Sequence, residues 1–267
     1  MAIAVVDETG DPGTGGVGRE WFAWVACVMP DAIIPALSEA REILAQALPG
    51  NSGQSSNWRT ASWKDDDLIG TLRYLNTIEG WHWVAVASNT IMSTPTTATW
   101  IDNPTEHRYY SMLIMLERLS WYGASTGQSV HVYIERPNDR GFNEVELRAR
   151  HKRGLPPHKW ADHNFLPPQN IKVLGMAEFD LLSIADTLAC AVGKAINAHE
   201  RRMVVFPGET FPEYINIVSD KVWTGPWSGG FNLTDRGFTL LPAARRVELR
   251  AKLPFLSRWL NEFNLGG

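Results

Sequence analysis

The sequence predicts an α/β protein whose mixed sheet is flanked by helices. Three observations carry that reading. Short β-branched and aromatic runs alternate with stretches of helical apolar period. The first two runs are joined only by a glycine-rich loop, as in a hairpin. The later runs are separated by helical segments, the spacing of an α/β chain. With 267 residues, 44% of them hydrophobic, the chain can bury a sizeable core. The pattern is regular over residues 1–200 and weaker over 201–267, which reads as one domain followed by an extension packed on it.

Met1 to Gly18 opens with an apolar run that ends in Asp7 and Glu8, ahead of a turn at Thr9, Gly10, Asp11, Pro12 and Gly13. Carboxylates at the point where a core strand surfaces are costly to desolvate unless something positive meets them, and a divalent cation can meet several together. Gly13 to Gly18 spells the dinucleotide fingerprint G-x-G-x-x-G, but that motif needs a helix directly behind it. Glu20 to Met29 reads instead as a second strand, making the glycines a hairpin loop. Asp31 to Leu48 has a helical pattern with Asp31 as N-cap, and Asn51 to Thr60 is a polar loop. Asp65, Asp66 and Asp67 then lie over the positive end of a helix reaching Ile78, where capping explains them better than metal binding.

Trp81 to Thr90 is strand-like, and His107 to Tyr122 is a long amphipathic helix closed by Gly123. Ser129 to Pro137 is a further strand, and it too finishes in a carboxylate, Glu135, followed by Arg136. Asn143 to Gly154 is a polar helix whose basic end carries Arg148, Arg150, His151, Lys152 and Arg153. Such an end suits a solvated helix terminus as well as a phosphate-tracking patch. Asn170 to Phe179 reads as a strand, and Asp180 caps a helix from Leu181 to Asn197. On that helix Ser183, Ala189, Cys190 and Gly193 surround Asp186, so the backbone can approach the sheet and carry Asp186 towards the strand ends. Pro242 to Phe263 is helix-like.

Charged residues make up 20% of the chain and the formal net charge is −4, so no global basic field announces nucleic acid and any such binding must be local. Cys27 and Cys190 read as buried thiols of a reducing compartment. Without a signal-like segment or a membrane-length apolar run, the expected location is cytoplasmic. Of the 12 tryptophans, Trp58, Trp63, Trp160, Trp223 and Trp227 fall in polar or loop-like sequence, where core packing and base stacking are both open.

If the strands bearing Asp7 and Glu135 are parallel neighbours, both acids emerge at one edge of the sheet and Asp186 closes the cluster. Three carboxylates within a few ångströms repel by several kcal/mol at an effective dielectric near 20, and Mg²⁺ or Mn²⁺ would reverse the sign. All-oxygen ligation of that kind suits phosphodiester hydrolysis of DNA or RNA, with Asp7, Glu135 and Asp186 as metal ligands and Glu8 or Asp11 orienting from behind.

The segments V-V-D-E-T-G-D at Val5 to Asp11, I-E-R at Ile134 to Arg136 and L-L-S-I-A-D-T-L-A at Leu181 to Ala189 resemble, in that order, the motifs of the domain of unknown function 3800 family. The resemblance covers about Met1 to Asn197 and implies a ribonuclease H-like fold with metal-dependent nuclease activity. It carries the acidic positions onto Asp7, Glu135 and Asp186, with Glu8 and Asp11 in the opening motif. Two departures stand out. Ser62, ahead of Trp63 and Lys64, occupies a place where many relatives carry an acid, and Ser183 replaces a usual glutamine. A catalytically silent ribonuclease H-like binding module, or a subunit of a mobile-element or antiviral assembly, is therefore the alternative, and a homo-oligomer is compatible with either.

Overall fold

The computed structural model describes residues 1–10, 21–48, 58, 60, 63–90, 103–138, 141–154, 161–205, 214, 216–223, 225 and 237–241. In chain order these form β1 (Ala2–Gly10), β2 (Trp21–Pro30), α1 (Ile34–Ala47), α2 (Asp65–Asn76), β3 (His82–Asn89), α3 (Pro104–Thr126), β4 (Val130–Glu135), α4 (Glu144–Arg153), β5 (Ile171–Leu174), α5 (Leu182–Val205) and β6 (Phe238–Leu241).

One sheet unites the strands in the order β5-β4-β1-β2-β3-β6. β2 runs antiparallel to both neighbours, whereas β1, β4 and β5 are parallel, as are β3 and β6. Helices cover both faces, which is why β1 and β2 read as nearly unbroken apolar runs instead of alternating ones. On one face Ile3, Val5, Val25 and Cys27 meet α1, α2 and α5; on the other Ala4, Val6, Trp24, Val132 and Ile134 meet α3 and Leu147 of α4. Each half buries enough Leu, Val, Ile and Trp surface to dominate folding at about 25 cal/mol per Å² of apolar area.

Several boundaries differ from the sequence expectation. Asp31 makes no side-chain cap; it opens a short 3₁₀ turn before α1. α3 runs past Gly123 to a left-handed Gly127 at φ 66°. Gly123 lies inside the helix because a Cβ there would collide with Phe165 and the Gln128 carbonyl, so its role is close packing and not termination. β5 is only Ile171–Leu174, flanked by 3₁₀ turns. Asp180 is followed by Leu181 and then a helix that extends to Val205, so α5 spans the 200/201 boundary. Beyond it, β6 adds to the sheet beside β3. β2 begins at Trp21 as the antiparallel partner of β1, the arrangement expected of a hairpin; Gly13 to Gly18 themselves lie outside the described residues, as does Pro242 to Phe263. No helix among the described residues is long and apolar enough to cross a membrane.

Candidate functional site

Sheet register places the first two acids. Val6 of β1 pairs with Ile134 of β4 in parallel, so Asp7 and Glu135, one residue further along each strand, leave the sheet side by side. Alternation sets their direction: Ile3 and Val5 face the α5 side and Tyr133 packs there too, and residues two apart share a face. α5 supplies Asp186 on the same side. It lies close because Gly193 carries no side chain; a methyl there would land on Thr9 Oγ1 of β1.

Asp7, 8% exposed, accepts the Glu8 amide N–H at 2.7 Å. Its carboxyl is pushed well up, first by burial and then by the charges of Glu135 and Asp186, with a smaller contribution from Glu8. Glu135 is pushed up to about 7, again by burial first and then by Asp186 and Glu8. Burial also raises Asp186, opposed by the Thr60 hydroxyl donating to its Oδ1 at 2.9 Å and by a hydrogen bond from Asp7. The three acids from β1, β4 and α5 thus share one electrostatic environment, in which no cationic side chain among the described residues is a cause of their shifts. Such a set holds its protons until a cation replaces them.

The donor chemistry fits a hard divalent ion. Every group is a carboxylate, and Glu135 Oε2 is buried with no hydrogen-bond partner among the described residues, an acceptor left over. The side chains do not form a closed cage as they stand: among the described residues no three His, Cys, Asp or Glu are gathered to enclose an ion.

The other site residues expected from sequence fall elsewhere. Glu8 points to the opposite face of β1 and is gripped by Arg108 of α3. Lys64 is exposed ahead of α2, its backbone N–H donating to Asp67. Asp65 pairs with Lys194 at 2.8 Å and Asp67 closes the capping box, so two of the three aspartates in the first turn of α2 are accounted for as a surface pair and a cap. Arg136 is exposed, 3.5 Å from Glu178, and lines a cavity of about 540 Å³ with Asn138, Phe142 and Asn143. Asp11 and Ser62 lie outside the described residues.

The basic end of α4 is largely consumed internally. Arg148 pairs with Glu144, Arg150 with Glu106 and Glu146, and Arg153 with Glu146, while His151 is buried against the Leu166 carbonyl. That is a helix terminus satisfied by acids of its own helix and of α3, not a row of free cations. Trp58, Trp63 and Trp223 are buried and therefore closed to base stacking; Trp160 and Trp227 lie outside the described residues. Sequence reasoning missed Thr60 and Arg108, whose partners are 126 and 100 residues away and leave no local signal.

Neither a family model nor a curated protein matches the chain. Among solved structures it is similar to the crystal structure of the ribonuclease H2 from Pyrococcus horikoshii OT3, at 11% identity over 78% of this chain and 82% of that chain, with a TM-score of 0.44. The chain's own architecture is a mixed six-stranded α/β sheet with helices on both faces.

Proposed function

We propose that the protein is a metal-dependent nuclease that hydrolyses phosphodiester bonds in DNA or RNA, with Asp7, Glu135 and Asp186 holding Mg²⁺ or Mn²⁺. The observation that carries this reading is that carboxylates from β1, β4 and α5 share one side of the sheet and are all raised by burial, Asp7 and Glu135 also by neighbouring acids, with Glu135 Oε2 unpartnered among the described residues. The order of the three acidic motifs supports placing the chain with the domain of unknown function 3800 family. Bound there, such a cation supplies Lewis acidity at the scissile phosphate and charge for the departing oxygen.

The chain's own groups prepare the site. The Glu8 amide and the Thr60 hydroxyl each fix one carboxylate rotamer, and burial strengthens every charge interaction among them. Arg136, the residue after Glu135, is exposed and lines a cavity on the α3/α4 side of the sheet, where it can meet a phosphate at the sheet edge.

Incubation of wild type, Asp7→Asn and Asp186→Ala with labelled DNA and RNA tests the reading across Mg²⁺, Mn²⁺ and EDTA. Cleavage should need the cation and vanish in both variants while their fold persists. Cleavage that survives either substitution overturns it. The open carboxylate arrangement is what favours the alternative, a catalytically silent binding module; calorimetric titration with Mn²⁺ separates the two, since the nuclease must take up the ion.

A further inference from the structure

Thr60 joins the acid cluster to a second feature. Arg41 on α1 is 4% exposed, and its Nε and Nη2 are buried without a hydrogen-bond partner among the described residues. A guanidinium cannot shed its proton, so a stranded one is costly until something negative meets it. Trp58 and Trp63, 4% and 6% exposed, lie in the same cluster. The Arg41 guanidinium carbon is 5.6 Å from the Trp58 ring centre, and the two indoles meet edge-on at 5.1 Å. Each indole Nε1 is likewise buried with no acceptor among the described residues. The Trp58 ring offsets part of the charge but offers the N–H groups no acceptor.

All these groups donate and none accepts, so their complement is an acceptor-rich anion. We propose that Arg41, Trp58 and Trp63 form a binding site for a tetrahedral oxyanion of the phosphate class. Low local dielectric makes charge-assisted hydrogen bonds of this kind strong. Position suggests the source. Thr60 donates to Asp186 through its hydroxyl and accepts the Trp63 amide through its carbonyl at 3.0 Å. Two or three residues of chain span at most about 7 to 11 Å, which is roughly two or three nucleotides at ~3.4 Å per nucleotide of one strand. A phosphate of the bound strand, a short step from the acid cluster, is the first source, and free inorganic phosphate is the second. The strand as source rests on the nuclease reading; the oxyanion site does not.

The test uses full-length protein in EDTA, titrated calorimetrically with inorganic phosphate and, separately, with a short single-stranded oligonucleotide. Wild type, Arg41→Met, Trp58→Phe and Trp63→Phe are compared, the last two keeping a ring and losing only the N–H. Wild type should bind, each Trp→Phe change should raise Kd about tenfold, and Arg41→Met should abolish binding. In phosphate-free buffer Arg41→Met should be at least as stable as wild type, because it removes an unanswered charge. Oligonucleotide binding that phosphate displaces identifies the strand as source; binding of phosphate alone identifies the free anion. Failure of wild type to bind either, or binding by all three variants as tight as wild type, overturns the proposal. If Arg41→Met does not fold, the two Trp→Phe variants carry the decision. No cation is present and no cleavage is read, so failure here and failure of the nuclease assay remain distinct.

Discussion

Glu8 and Arg108 clasp each other on the face of β1 opposite Asp7, Nε to Oε2 at 2.8 Å and Nη2 to Oε1 at 3.0 Å. Consecutive strand residues point to opposite faces, so the acidic doublet that ends β1 is divided between two layers of the molecule. Asp7 turns to α5 and the acid cluster. Glu8 turns to α3 and neutralises a mostly buried cation, which ties the strand end to the helix that covers it.

That division predicts two different mutants. Glu8→Gln removes the bidentate carboxylate from Arg108 and should cost roughly 2 kcal/mol of stability, less than the ~3–5 kcal/mol of a fully buried pair because both side chains keep some exposure. Its Mn²⁺ affinity should stay within about threefold of wild type, a difference below 1.4 kcal/mol. Asp7→Asn should show the reverse: little loss of stability without metal, and no Mn²⁺ uptake. Urea unfolding with and without Mn²⁺ reads both quantities, and a Glu8→Gln protein that loses the ion would place Glu8 inside the metal site.

Gly193 sets how near Asp186 comes to the sheet. Gly193→Ala forces a methyl onto Thr9 Oγ1, so α5 must slide away from β1 or distort. Overpacking of this kind costs about 1 to 3 kcal/mol. Mn²⁺ affinity should fall with it, since Asp186 travels with the helix. Pairing the change with Thr9→Ala removes the obstructing hydroxyl, and most of both losses should return. A double variant no better than Gly193→Ala would mean the helix is seated by other contacts.

Much of this was legible in the chain and some was not. Apolar runs that end in Asp7 and Glu135 announced where the sheet surfaces, because strand period and buried cost act locally. The small residues around Asp186 announced a close helix. Direction was harder: a doublet of acids does not say which one faces which layer until β1 has helices on both sides. The charge run of α4 illustrates the same limit. In sequence Arg150 suits a solvated helix end as well as a phosphate-tracking patch, and Glu106, 44 residues away on α3, decides between them by holding it at 2.6 Å. Past residue 200 the hydrophobic pattern weakens, and there α5 continues to Val205 and β6 pairs with β3, a contact that no short window contains.

His151 gives the protein an acid-sensitive joint far from the carboxylates. Its ring nitrogen Nε2 lies 2.8 Å from the Leu166 carbonyl, and burial, aided by His163, pushes the imidazole down to about 4. A folded value below the ordinary 6.5 means the neutral ring is favoured in the fold. Stability from this group is therefore complete above pH 6.5 and is lost as pH falls towards 4. The slope should approach about 1.4 kcal/mol per pH unit, one proton's worth. His151→Gln keeps a donor for Leu166 but cannot titrate, so its unfolding free energy should be flatter by that slope between the two values. An unchanged slope would assign the acid limb to other groups.

The acid cluster predicts a dependence of opposite sign. Glu135 has a folded value of about 7 against an ordinary 4.5, and Asp7 and Asp186 are also raised. Raised carboxyls favour the protonated fold, so in EDTA their contribution is complete below pH 4.5 and disappears as pH rises through 7. This window overlaps that of His151, and measuring in the His151→Gln background removes the competing limb. Mn²⁺ needs the ionised carboxylates, so the Tm gain it gives should grow across the same interval in which the metal-free protein weakens. Glu135→Gln should flatten the EDTA curve and shrink the Mn²⁺ gain together, because both come from one oxygen pair. A Mn²⁺ gain that is independent of pH, or unaffected by Glu135→Gln, would put the ion somewhere other than between β1, β4 and α5.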